Sequence, residues 1–143
     1  MTRIAAKPIP SPRRAVECLE LVLPAPPSAN NLFYNRKEGG RGKTQAYRDW
    51  IIESGWRLQQ QNPGMIDGSY EIEIIVGKTN VRDIANSEKA LSDLLVRHGV
   101  VIDDSLAERI VMTRSGEDHG VRIILKAWDL CDDPAASDEG HDF

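Results

Sequence analysis

The second half of the chain contains several acidic residues and one lysine in an order that suits metal-assisted phosphate chemistry. Asp83 follows a predicted strand, Lys89 lies at the start of a predicted helix, and Asp104 comes after that helix. Hard cations such as Mg²⁺ prefer oxygen ligands and keep several waters, so one or two carboxylates can hold one. Such an ion activates water for attack on a phosphodiester, and a nearby lysine can stabilise the developing charge. One interpretation of this segment is therefore a metal-dependent active site.

The same residues also have an ordinary structural interpretation. Lys89 and Asp93 are four residues apart on a predicted helix and can form a surface ion pair. Asp103 and Asp104 suit a turn, and Asp83 can cap backbone groups nearby. Acidic residues near helix ends are common, so the residue types alone leave both interpretations open.

Four strands are predicted around these residues from alternating apolar and polar positions. The last two are joined by a short Gly-containing segment, which predicts a hairpin between them. Residues 24–31 contain three prolines and break the first strand, and residues 35–45 predict a basic, glycine-rich mobile loop. The predicted strands cover residues 17–23, 70–77, 108–115 and 120–128.

Two helices are predicted between these strands. Thr44 is placed to cap a helix that runs to about residue 60. Asn86 or Ser87 is placed to cap a second helix that runs to about Arg97, and Gly99 is placed to end it. The expected apolar faces are Tyr47, Trp50, Ile51, Ser54, Gly55 and Leu58 on the first helix, and Ala90, Leu91, Leu94 and Leu95 on the second.

These elements predict an α+β fold in which two main helices pack on one mixed β-sheet. With 143 residues the chain suits a single small domain, expected over residues 17–128. Residues 1–16 are expected to form a flexible basic segment, and residues 129–143 an acidic disordered tail. No apolar run is long enough to span a membrane, so no membrane association is expected. The two widely spaced cysteines favour reduced thiols and a cytoplasmic location.

The net charge of −4 is unevenly distributed along the chain. Residues 129–143 contain six acidic residues and no Lys or Arg, so the rest of the chain is slightly basic. A local basic patch attracts a polyanion more than net charge does. The glycine-rich segment 35–45 supplies such a patch with Arg36, Lys37, Arg41 and Lys43.

Three stretches together resemble the RusA family of Holliday junction resolvases, in order over residues 19–128. The first is "LVLPAPPSANNLFYN", which is similar to the family's strand, its proline- and asparagine-containing loop and an aromatic pair. The second is "GKTQAYRDW", similar to the family's Tyr-Arg-containing first helix. The third and most specific is "RDIANSEKALSDLLVRHGVVIDDSL", which carries the family's Asp, Asn, Lys, Gly and closing Asp-Asp at the family's spacing.

The resemblance assigns roles to the acidic segment. It implies that Asp83 and Asp104 are metal-binding catalytic acids and that Lys89 is the catalytic lysine. Ala85 stands where the family usually has a second Asp, and an alanine cannot bind metal. The resemblance leaves three alternatives: fewer direct ligands, a weakened or inactive enzyme, or replacement of the missing oxygen by Asp103, Glu88 or Asp93.

The resemblance also implies an activity and partners. RusA-like proteins are small homodimeric, Mg²⁺-dependent endonucleases that cut four-way DNA junctions symmetrically, and many are encoded by prophages. We therefore expect Mg²⁺ as cofactor, with Mn²⁺ as a substitute, a homodimer, and a role in recombination and repair. Two alternatives are a junction-binding protein without catalysis and an interaction module without DNA affinity. Expected DNA contacts are Asn30, Asn31, Arg36, Lys37, Arg41, Lys43 and Arg82.

Overall fold

The computed structural model describes residues 13–28, 31–78, 87–117 and 120–130. Within them lie two helices and six strands, and 3₁₀ turns at Asp104–Leu106 and Trp128–Leu130. The elements are β1 (Cys18–Leu23), β2 (Phe33–Asn35), β3 (Arg41–Lys43), α1 (Gln45–Gln61), β4 (Tyr70–Val76), α2 (Ser87–Arg97), β5 (Ala107–Arg114) and β6 (Val121–Ala127). No helix in these ranges combines the length and apolar character needed to cross a lipid bilayer.

The four longer strands form one mixed sheet in the order β1-β6-β4-β5. β4 pairs with β5 in parallel, whereas β6 runs antiparallel to both β4 and β1. One face of the sheet is buried, as Leu21, Ile72 and Ile123 show. The predicted α+β class with a mixed sheet and two helices is therefore confirmed.

The predicted hairpin between the last two strands is wrong. β5 and β6 do not pair, because β4 lies between them. The connection after β5 crosses the end of β4, where Ser115 N donates to Val76 O at 2.8 Å and Gly77 N donates to Gly120 O at 2.8 Å. Every second residue of β4 is fully buried, so a central place covers more apolar surface than an edge would.

The segment 35–45, predicted as a loop, contains part of a hairpin. β2 and β3 pair antiparallel, with Phe33 opposite Lys43 and Asn35 opposite Arg41. Gly39 and Gly40 adopt positive φ values of 103° and 80°, which residues with a Cβ rarely tolerate. Two glycines at the turn therefore explain why so polar a segment still forms a hairpin.

Both predicted helices form, and their predicted apolar faces are buried. Thr44 caps α1 by accepting a 3.1 Å hydrogen bond from Tyr47 N. Gly99 follows α2 with a φ of 72°, the left-handed conformation expected at a helix end. Ser87 is the first residue of α2, and Asn86 lies outside the described residues. Leu91 and Leu95 are fully buried, each contributing about 1.5–3 kcal/mol on burial.

The start of α1 holds the loop that precedes it. Trp50 Nε1 donates a 2.8 Å hydrogen bond to Pro24 O. Thr44 Oγ1 donates to Asn31 O, so the helix cap also holds the end of this loop. The proline-containing segment is thus fixed to the start of α1 by two side chains, the capping Thr44 and Trp50 in the second turn.

A network around His98 joins the first described residues to both helices. Gln59 on α1 lies 3.0 Å from His98 Nδ1, and Arg13 Nε donates to His98 O at 2.8 Å. The ring packs against Gly55, where an added Cβ would lie 2.8 Å from Nε2. Burial lowers the pKa of His98, and the charges of Arg13 and Arg97 lower it further.

This lowered pKa makes stability depend on pH. The unfolded chain binds a proton at His98 near pH 6.5, whereas the folded chain resists it, so stability is lost as pH falls below about 6.5. We expect His98→Asn to reduce the dependence of the free energy of unfolding on pH below about 6.5, while keeping a hydrogen-bond acceptor near the Nδ1 position. Urea unfolding of both proteins between pH 7.5 and 5.5 measures the effect. Equal slopes of unfolding free energy against pH for the two proteins would contradict this prediction.

Candidate functional site

Lys89, Asp93 and Asp104 meet at one place on the surface. Lys89 Nζ lies 3.4 Å from Asp93 Oδ1, one helical turn further along α2. The same nitrogen lies 4.0 Å from Asp104 Oδ2, at the start of the turn that leads into β5. The structure therefore brings together Lys89 and Asp104, two of the three residues predicted to be catalytic.

This group is open to solvent and to a large substrate. The side chains of Lys89 and Asp104 are 72% and 42% exposed. The charge of Asp93, a hydrogen bond to it, and then the charge of Asp104 raise the pKa of Lys89. Lys89 therefore stays protonated at neutral pH, and its chemistry is that of a cation rather than a general base.

Asp103 supports the turn that presents Asp104. Its Oδ2 accepts a 3.1 Å hydrogen bond from Ser105 N and another from Ser105 Oγ. These bonds lower the pKa of Asp103, so the carboxylate stays ionised. The turn role suggested by the sequence is therefore present.

Tyr70 has a buried hydroxyl with no hydrogen-bond partner among the described residues, on a strand that starts beside the turn of Asp104. Tyr70 is fully buried at the start of β4, and its hydroxyl has no hydrogen-bond partner among the residues described. Burial first, and then the charges of Asp104, Glu88 and Asp103, raise the pKa of Tyr70 to about 12. A protonated donor with no hydrogen-bond partner among the described residues calls for an explanation such as a bound water.

The donor set fits a hard divalent cation, because it offers carboxylate oxygens rather than sulfur or imidazole. Within the described residues no three His, Cys, Asp or Glu side chains are close enough to hold an ion by themselves. Asp103 and Asp104, two of the predicted metal ligands, are adjacent at one turn, and the third, Asp83, lies outside the described residues. Ala85, Arg82 and Asn30 lie outside them as well.

The predicted DNA-contacting residues that the structure describes lie before α1. Arg36, Lys37, Arg41 and Lys43 are exposed on the β2–β3 hairpin, and Asn31 is exposed just before it. The Arg41 guanidinium lies over the Phe33 ring, 4.4 Å from its centroid. An added Cβ at Gly42 would lie 2.8 Å from the Tyr34 ring, so the glycine lets this ring pack against the backbone. The hairpin is thus a compact basic surface.

A cavity of about 420 Å³ lies between this hairpin and the acidic group formed by Asp93, Asp103 and Asp104. Its lining includes Lys43 from β3, Asp93 and Arg97 from α2, and both Asp103 and Asp104. The prediction from sequence did not include Arg97. The helical spacing of the sequence could have identified Arg97, because residues 89, 93 and 97 follow one another at intervals of four along one face of α2.

Replacing Tyr70 with Phe tests whether the buried hydroxyl is unpaired. Removing a hydroxyl that makes no hydrogen bond should leave the free energy of unfolding unchanged or raise it by about 1 kcal/mol. Urea unfolding of the metal-free protein measures this, with Tyr47→Phe as a comparison variant on α1. A loss of more than about 1 kcal/mol would mean that the hydroxyl has a partner in the folded chain.

Comparison with known proteins shows which family this sequence resembles. Residues 24–126 match the family model described as endodeoxyribonuclease RusA. The chain is also similar to a crossover junction endodeoxyribonuclease RusA from Aquifex aeolicus (strain VF5). The two are 30% identical over 115 residues, which cover 78% of this chain and 91% of that relative. The matched region contains all the residues of the acidic group and the basic hairpin.

Proposed function

Because the chain belongs to the RusA family of endodeoxyribonucleases, we propose that it is a Mg²⁺-dependent endonuclease that resolves Holliday junctions and related branched DNA. Membership of this family implies junction-resolving nuclease activity. Beyond this family activity, our proposal specifies Mg²⁺ as the cofactor, a role in DNA recombination and repair, and a cytoplasmic location. The observation that carries it is the meeting of Lys89 and Asp104 beside a basic hairpin.

The carboxylates of Asp83 and Asp104 would hold the ion, and Asp103 is the nearest further oxygen donor along the chain. When bound, the ion polarises a phosphoryl oxygen and lowers the pKa of the attacking water. Hydrolysis then joins the water oxygen to phosphorus and breaks one P–O bond of the DNA backbone. Asp103 keeps Asp104 in place by holding the turn at Ser105.

Lys89 would stabilise the negative charge that develops on the phosphoryl group. Its ammonium is protonated and largely exposed, and among the described residues it pairs with the solvent-exposed carboxylates of Asp93 and Asp104. Exposed ion pairs are weak, so the side chain can move from Asp93 to a substrate oxygen at little cost. Removal of such a stabilising cation should lower the cleavage rate by about 100- to 1000-fold.

The basic hairpin would contact the phosphate backbone. Arg36, Lys37, Arg41 and Lys43 would neutralise phosphates, and Asn30, Asn31 and Arg82 are further candidate DNA contacts. Such contacts position a nucleic acid without reading its sequence. Recognition would then rest mainly on the shape of the junction, and binding should weaken steeply as salt is raised.

Cleavage of a labelled four-way junction tests the proposal directly. With Mg²⁺ or Mn²⁺ we expect symmetric cuts, which stop when the ion is chelated. Asp104→Asn should lose cleavage and keep junction binding, because it removes a metal ligand without altering the hairpin. Asp83→Asn should behave in the same way. Cleavage that survives in both variants would contradict the assignment of the acidic residues.

A second candidate function is junction binding without cleavage, and Ala85 is the observation that favours it. In that case the wild-type protein binds the junction tightly and does not cut it with either ion. Ala85→Asp, which restores the family's usual carboxylate, would then produce cleavage. Negligible, salt-insensitive binding by the wild type would instead support an interaction module that does not act on DNA.

We also propose that the enzyme acts as a homodimer. A four-way junction has two-fold symmetry and needs two opposed cuts, which two equivalent active sites supply. The surface we suggest for the contact is on α1, where Ile52 and Trp56 are 64% and 66% exposed. They border a largely apolar depression that also includes Gly55 and His98. Large exposed apolar side chains of this kind often mark an interface.

Replacing Trp56 with Glu tests this surface. A charge at the centre of an apolar contact should shift the protein from dimer to monomer, which light scattering after gel filtration measures. Leu130→Glu is a matched control, because Leu130 is a large, half-exposed residue far from α1 in the sequence. A dimer that survives Trp56→Glu would place the contact elsewhere, and a monomeric wild type would refute the dimer.

A further inference from the structure

Residues 131–143 form an acidic segment that the proposed function does not use. The segment follows the last described residue, Leu130. Five of its thirteen residues are acidic and none is Lys or Arg. Segments of like charge often bind a surface of opposite charge. The acidic residues are Asp132, Asp133, Asp138, Glu139 and Asp142.

The basic hairpin is a surface of opposite charge. Residues 33–43 include four basic residues and one acidic residue, which gives a net charge of +3. All four basic side chains are exposed, and none forms an ion pair with a residue that the structure describes. The hairpin therefore has positive charge available for an anionic partner. Its basic residues are Arg36, Lys37, Arg41 and Lys43.

The acidic segment begins at the edge of the sheet that also carries the turn before β5. β6 ends at the edge where β4 and β5 begin, as the pairing of Ala127 with Tyr70 shows. The guanidinium carbon of Arg109 on β5 lies 5.0 Å from the centroid of the Trp128 ring, so the chain stays at this edge after β6. Residues 131–143 follow directly.

The hairpin is within reach of the acidic segment. Lys43 and Asp104 line the same cavity, so the hairpin lies on the side of the domain where the segment begins. A domain of this size has a radius of gyration of about 13 Å and is about 35 Å across. Thirteen extended residues span up to about 45 Å. The segment is therefore long enough to lie along the hairpin.

The charges in the cavity favour the hairpin itself over the cavity as the place where the segment binds. Asp93, Asp103 and Asp104 line the cavity, where they outnumber the cations Lys43 and Arg97. These carboxylates repel an acidic segment. On the hairpin the balance is reversed, with four basic residues against one acidic residue.

We propose that residues 131–143 bind the basic hairpin by charge attraction and thereby compete with DNA for it. The competition rests on the proposed function, in which the hairpin contacts phosphates, whereas the contact within the chain does not. Tethering gives the segment an effective concentration of about 1 mM at the hairpin, so even a weak contact is partly occupied. DNA must displace the segment, and its observed affinity is lowered accordingly.

NMR spectra of the full-length protein without DNA or metal test the contact. The segment variant replaces the five acidic side chains of the segment by amides. The backbone amide signals of the hairpin should differ between the wild type and this variant at about 50 mM salt, and the difference should vanish at about 500 mM, where the charges are screened. The substitutions are Asp132→Asn, Asp133→Asn, Asp138→Asn, Glu139→Gln and Asp142→Asn.

A control variant of equal charge separates a local contact from net charge. It neutralises five exposed acidic residues that lie neither on the hairpin nor in the cavity lining. Each variant removes five negative charges and so changes the net charge from −4 to +1. The control should leave the hairpin signals unchanged. Its substitutions are Glu17→Gln, Glu53→Gln, Asp67→Asn, Glu108→Gln and Glu117→Gln.

Junction binding by the same three proteins tests the competition. At about 50 mM salt the segment variant should bind a four-way junction about three- to tenfold more tightly than the wild type. This gain should disappear as salt is raised, because salt weakens the contact that DNA must displace. The control variant should gain much less, since it leaves the contact between the segment and the hairpin intact.

Two outcomes would overturn the inference. One is identical hairpin signals in the wild type and the segment variant at low salt. The other is equal tightening of junction binding by the segment and control variants, which would show that net charge alone is responsible.

The two readouts separate this inference from the proposed function. Hairpin shifts in a protein that neither binds nor cuts junctions would keep the contact within the chain and overturn both the competition and the nuclease proposal. Symmetric cutting of junctions without hairpin shifts would keep the nuclease proposal and overturn the contact.

Discussion

The parallel pairing of β4 with β5 is the constraint on which the candidate site depends. Two adjacent parallel strands cannot be joined by a tight turn, so the chain must cross over the sheet between them. Here α2 is part of that crossover, and it packs its leucines against the buried face of the sheet. The crossover carries Lys89, and the return to the sheet carries Asp104. The 4.0 Å approach of these two side chains follows from that geometry.

The central position of β4 contributes to the same arrangement. Its first residue, Tyr70, lies opposite Ala107 at the start of β5, directly after the turn that contains Asp104. The backbone of Tyr70 is thereby held next to the turn that presents Asp104. A buried donor without a partner is costly in a folded protein, and it is most easily understood where a ligand or water completes the site.

The basic and the acidic residues of the candidate site come from different elements. The basic hairpin precedes α1, whereas the acidic group belongs to the β4–α2–β5 crossover. The cavity between them is bordered by both, with Lys43 and Asp104 in its lining. A polyanion drawn to the hairpin would therefore be brought toward the carboxylates that would otherwise repel it. In the proposed metal site Ala85 would supply no oxygen ligand, whereas the proposed contacts of the hairpin with DNA would be unaffected.

Local sequence determined the helices, their caps and the four main strands, because these depend on periodicity and on single residues such as Thr44 and Gly99. The spacing of Asp83, Lys89 and Asp104 likewise sufficed to point to the family. Strand pairing was predicted wrongly at β5 and β6, because the choice between a local hairpin and insertion of β4 depends on how much apolar surface the whole sheet buries. Only the tertiary structure decided that Tyr70 pairs with the start of β5 and that Lys43 and Arg97 border one cavity. Those contacts join residues that are far apart in sequence, and no local sequence pattern predicts them.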